Sequence, residues 1–104
     1  MSKQRLDQII SQLNNKGWEV INAYSNNLYY VSNEYVIKWI ASRGNGEPIV
    51  ITFFIVESLG MISTDLNDIF YCKGNRNENK LYFSKINSKE WKESLKIWVN
   101  NLNN

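Results

Sequence analysis

A chain of 104 residues, 43% hydrophobic and 13% aromatic, is long and apolar enough to fold as one domain, so residues 1–104 are read as a single unit. Histidine is absent and Cys72 is the only cysteine, which excludes Ser-His-Asp and Cys-His catalysis, zinc held by His or Cys, and an internal disulfide within one chain. The net charge of +2 is too small to name a partner, but it divides unevenly: +1 over residues 1–41, −3 over 42–72 and +4 over 73–104.

The N-terminus is polar and lacks the apolar core of a secretory signal, and no stretch approaches eighteen apolar residues. With a single thiol, these features make a reducing cytoplasm the expected compartment, with no membrane partner.

Residues 3–15 carry Leu6, Ile9, Ile10 and Leu13 at i, i+3, i+4 and i+7, which predicts an amphipathic helix with Ser2 as N-cap and Gly17 as its stop. Its other face, with Gln4, Asp7, Gln8, Ser11 and Gln12, reads as plain solvated surface. Trp18 to Tyr24, Leu28 to Val31 and Tyr35 to Ala41 follow as strands joined by short Asn- and Ser-containing turns, hence as antiparallel neighbours. The loop at residues 42–47 leads into Ile49 to Val56. Seven of those eight residues are apolar, and all are β-branched or aromatic. A half-buried strand alternates apolar and polar positions. This one does not, so both of its faces need cover. Ile49, Ile51, Phe53 and Ile55 form one set; Val50, Thr52, Phe54 and Val56 form the other.

Residues 58–63 read as a break, and residues 64–72 as either a short helix and a strand or one strand from about Leu66, the latter preferred. A hairpin loop at 73–79 returns through Lys80 to Lys85. The last element is a helix over 88–102. Asn87 and Glu90 have capping-box spacing, and Trp91, Leu95, Trp98, Val99 and Leu102 form its apolar stripe. The order predicts an α+β domain: N-terminal helix, antiparallel meander of about five to six strands, C-terminal helix.

No constellation with the spacing of a catalytic or cofactor site emerges, so no enzyme activity, cofactor or metal is expected. Asp65-Leu66-Asn67-Asp68 lacks the glycine and the closing glutamate of a calcium loop and reads as a cap or turn. Gly44 and Gly46 do not fit a dinucleotide fingerprint. Glu57 reads as a solvated strand-end carboxylate, and Cys72 as a buried structural thiol.

The decisive question is coverage. Helices on opposite faces would cover both sides and make the chain a plain monomer; antiparallel α+β folds tend instead to segregate helices to one sheet face, which leaves the other face of the central strand bare. A bare apolar face marks an interaction site. The first functional reading is therefore a small cytosolic, non-catalytic interaction protein that binds a protein partner or itself as a homodimer. Tyr29, Tyr30, Tyr35, Trp39, Val50 and Phe54 are its candidate contact residues. The alternative is a single-stranded nucleic-acid-binding module. It would use Tyr71, Lys73, Arg76, Lys80, Tyr82 and Lys85 of the hairpin together with the C-terminal helix, because single strands are held by cations interleaved with aromatic rings.

Overall fold

The computed structural model describes residues 2–25, 27–31, 34–55, 57–58, 61–62, 69–74, 79–83 and 86–102. Helix α1 (Ser2–Asn15) and helix α2 (Ser88–Asn100) bracket the strands β1 (Glu19–Val20), β2 (Leu28–Val31), β3 (Glu34–Ser42), β4 (Ile49–Ile55), β5 (Glu57–Ser58), β6 (Met61–Ile62), β7 (Ile69–Lys73) and β8 (Lys80–Tyr82). The main sheet runs β1-β3-β4-β7-β8, with β2 also on β3; all pairings are antiparallel, and β5 and β6 pair separately. The α+β meander with terminal helices is as expected.

α1 begins at Ser2 itself, so the expected N-cap is the first helical residue. It ends as anticipated: Gly17 sits at φ +88, and Lys16, Gly17 and Trp18 donate back to carbonyls of the last turn. α2 opens on the expected cap. Asn87 Oδ1 accepts from the Glu90 amide at 2.8 Å, and Asn87 Nδ2 donates to Glu90 Oε1 at 2.8 Å.

The first predicted strand is much shorter than its pattern implied. β1 stops at Val20, and residues 21–24 turn away before β2 resumes pairing with the same strand. β1 and β2 are thus one interrupted edge strand: Ile21 donates to the Ile40 carbonyl and Leu28 opposes Ile37, so of β3 only Lys38 and Trp39 lie between the two paired stretches. Asn22 explains the gap. Its side chain donates to the Lys38 carbonyl at 3.2 Å and accepts from the Ile40 amide at 2.8 Å, taking the place of the missing ladder. Tyr24 adopts φ +63 in this excursion, packs edge-on against Trp39 at 5.8 Å and donates to Asp7.

The strand expected to start near Leu66 begins at Ile69 among the described residues, and the return arm described ends at Tyr82. Val56, residues 63–68, Arg76, residues 84–85 and the Asp65–Asp68 cluster lie outside the described residues. Within the expected break, 57–58 and 61–62 pair as a short hairpin.

One hydrophobic cluster joins both helices to one face of the sheet. Leu6, Ile9 and Leu13 of α1 and Trp91, Leu95, Trp98, Val99 and Leu102 at α2 meet Ile37, Trp39, Ile49, Ile51, Phe53, Cys72, Leu81 and Phe83. Alternation along each strand puts these sheet residues on one side. Both helices therefore cover the same face.

Polar ties fix the helices there. Arg5 donates to the carbonyls of Phe83 and Ile86, and its guanidinium stands 4.9 Å from the Trp91 ring. Trp91 Nε1 donates to Gln8, so part of the α1 surface read as merely solvated holds α2 instead. Asn79 and Trp98 exchange two hydrogen bonds of 2.9 Å, side chain to main chain in both directions. A Cβ at Gly74 would meet Leu102 Cδ2 at 2.6 Å, so a larger residue there has to displace that side chain.

Candidate functional site: the uncovered sheet face

The other set of the central strand, Val50, Thr52 and Phe54, is only half-buried, whereas Ile49, Ile51 and Phe53 are fully buried. No described helix lies over that side. Cross-strand register then dictates what the face displays. Tyr29 opposes Val36, Val36 opposes Phe54, Phe54 opposes Tyr71, and Tyr71 opposes Tyr82. These five residues form one row across β2, β3, β4, β7 and β8, at right angles to the strands. Two residues along, Lys38 opposes Thr52, Thr52 opposes Lys73, and Lys73 opposes Lys80. This second row carries three lysines. Beyond it Ile40 opposes Val50.

The rings of the first row interact with one another. Phe54 and Tyr71 are stacked, with centroids 4.5 Å apart and planes at 14°, and Tyr71 and Tyr82 are tilted at 5.6 Å. The cations lean onto them: Lys38 lies 5.4 Å from the Tyr29 ring, Lys73 5.6 Å from Phe54 and Lys80 5.2 Å from Tyr71. A groove of about 350 Å³ spans the aromatic row and reaches the lysine row, lined by Glu34, Val36, Lys38, Thr52, Phe54, Tyr71 and Lys73. The described acids on this face lie at its two ends, Glu34 past the aromatic row and Glu19 opposite Ser42.

Phe70 joins the patch through a bulge. Phe54 pairs with Tyr71 and Ile55 with Ile69, which leaves Phe70 as the extra residue of β7. Strict alternation would send its ring to the helix side with Cys72. It is instead 41% exposed and meets Tyr71 at 5.3 Å and Tyr82 at 6.0 Å.

The structure sorts the two sets of sequence candidates in a way that merges them. Tyr29, Val50 and Phe54 of the first set lie on the open face, as do Tyr71, Lys73, Lys80 and Tyr82 of the second. Trp39 does not: it is fully buried under the helices, packs with its ring tilted against Phe53 at 4.6 Å and donates to the Ser25 carbonyl. Its odd position in β3 places it with Ile37 and Ala41. Tyr30 and Tyr35 oppose each other on the helix-side parity at the outer end of the β2–β3 hairpin, with rings 4.7 Å apart. Arg76 and Lys85 lie outside the described residues. The C-terminal helix, expected to join the basic hairpin in one surface, lies behind the sheet from that hairpin's open-face residues. Lys38, Thr52 and Phe70 were missed. Lys38 and Thr52 could have been found from strand parity; Phe70 could not, because a bulge depends on the partner strand.

Cys72 is buried, and desolvation holds its thiol well above the ordinary range, so it is protonated and inert at neutral pH. Among the described residues no group of three or more Cys, Asp or Glu could hold a metal ion. No helix among them is long and apolar enough to cross a membrane. No family model, no curated protein and no solved structure matches the chain.

Proposed function

We propose that this protein is a non-catalytic interaction protein that holds a separate macromolecule on its open sheet face, within a reducing cytoplasm. The observation that carries this reading is that both helices cover one side of the sheet, leaving Tyr29, Phe70 and Tyr82 exposed and Phe54 and Tyr71 half-buried on the other. Tyr29 is 46% exposed and Tyr82 44%. Aromatic side chains of this kind contribute large contact area at small entropic cost. A second copy of the chain fits the face poorly as an occupant. A two-fold axis that runs through the lysine row, or across it along the strands, sets that row against its own copy, and like charges brought together oppose association.

The test compares two variants of equal size. One replaces the exposed rings of Tyr29, Phe70 and Tyr82 by Ser. The other replaces Lys89, Lys92 and Lys96, on the outer surface of α2, by Ser. Each is tagged, checked by thermal melting, and used to isolate bound protein and nucleic acid from native lysate. The open-face variant is expected to lose what the wild type retains, and the helix variant to keep it. Loss in the helix variant alone overturns the reading.

A further inference from the structure

We infer that the occupant of the open face is single-stranded nucleic acid, crossing the strands at right angles with its phosphates on the lysine row and its bases along the aromatic row. This rests on the reading of the open face as the binding surface and names the chemistry of what it binds.

Three observations carry it. The first is the pair of rows itself. Neighbouring strands stand about 4.8 Å apart and alternate residues on one strand about 7 Å apart. Lys38, Lys73 and Lys80 are therefore spread along a line of about 14 Å, with a parallel line of rings roughly 7 Å to one side. A polymer with regularly spaced anions on one side and flat apolar groups on the other matches that arrangement.

The second observation is the direction of the stack. Phe54 and Tyr71 lie face to face across one strand spacing, so the stacking axis runs along the row. Bases in an extended single strand succeed one another along that same direction. Tyr82 and the bulged Phe70 continue the patch at its exposed end. Every base has a π-face, so such a platform binds with little sequence preference.

The third is charge. The lysine row is cationic; of the described acids on the face, Glu34 lines the groove from beyond the aromatic row and Glu19 stands opposite Ser42 at the far end. The three ammonium groups rest on rings. A weak cation–π contact is readily exchanged for a phosphate. Thr52 and the Tyr71 and Tyr82 side chains add hydroxyl groups that hydrogen-bond to phosphate or base without selecting a sequence.

The test is fluorescence anisotropy with labelled twelve-nucleotide oligo-dT and oligo-U. Binding is expected to weaken with salt, with a log–log slope of about −2 for three phosphate contacts, and Lys73→Gln should make that slope shallower by about 0.7. Tyr82→Ala should weaken binding by about 5- to 100-fold and leave the slope unchanged. Tyr82 is used because it is exposed, so that truncation does not unfold the sheet; Phe54→Ala is added once its thermal melt shows a folded state. A duplex of the same length should bind more weakly than the single strand. Lys92→Gln on α2 should leave both affinity and slope as in the wild type.

Equal effects of Lys92→Gln and Lys73→Gln, or a slope indifferent to Lys73, overturn the assignment. If no oligonucleotide binds but the wild type retains a protein that the open-face variant loses, the nucleic-acid assignment fails and the open-face reading stands. If neither kind of partner depends on that face, both fail.

Discussion

Asn22 shows how one side chain can stand in for a strand. The edge of β3 between the partners of β1 and β2 would otherwise present the Lys38 carbonyl and the Ile40 amide unpaired. Asn22 supplies the matching donor and acceptor from a single amide. An unpaired edge is also a template for pairing with another chain, so the amide closes a place where the sheet could be extended. Asn22→Ala should destabilise the fold by about 1–2 kcal/mol, because both main-chain groups lose a partner and the Lys38 carbonyl does so in a part-buried place. Asn22→Asp keeps the acceptor for Ile40 but sets an oxygen against the Lys38 carbonyl, so its loss should be of similar size. Urea unfolding measures both. A change below about 0.3 kcal/mol for the alanine variant means that water replaces the amide without penalty. None of this was legible in the sequence. Asn22 lies in a run whose apolar residues alternate like those of a strand, and alternation carries no signal for a side chain that bonds to the main chain across the sheet.

At the scale of elements, period decided what could be read in advance. α2 repeats its apolar residues over nearly four turns and carries its own cap, so both its start and its buried stripe were apparent. The central strand was equally plain, because seven apolar residues in a row of eight exceed what one face can use. The element that was misplaced is one shaped by a neighbour, β1, cut short by the Asn22 excursion; β7 lies in the expected strand, but its bulge turns Phe70 outward. Trp39 was misassigned for a simpler reason. An aromatic cluster in the sequence was taken as a cluster in space, although adjacent strand residues point to opposite faces. The cap of α2 offers a test at this level. Asn87 satisfies the Glu90 amide and is held in turn by the Glu90 carboxylate. Asn87→Ala should cost about 1 kcal/mol, a fall of about 4–8 °C in melting temperature for a domain of this size. Asn87→Ser should recover most of it, since serine caps nearly as well. If serine performs no better than alanine, the side-chain cap is not what holds the helix start.

For the molecule as a whole, the unequal treatment of the two sheet faces has a consequence in solution. Aromatic rings on an open face favour association with another copy by removing apolar surface from water. The lysine row on the same face opposes it wherever a two-fold contact brings the rows of the two copies close together. Salt acts on only one of these forces. The screening length is about 10 Å at 0.1 M and about 3 Å at 1 M, so repulsion between the rows weakens steeply over that range while apolar attraction does not. Self-association measured by sedimentation equilibrium should therefore be least at low salt and should increase towards 1 M. Lys73→Gln should shift its onset to lower salt. Nucleic-acid binding through the same lysines must move the other way, because each phosphate contact releases counterions and weakens as salt rises. The two salt dependences have opposite signs and share one cause, and a single substitution in the row changes both. Self-association that falls as salt is added would show that the lysines do not dominate the face, and the charge argument for an anionic occupant would fall with it.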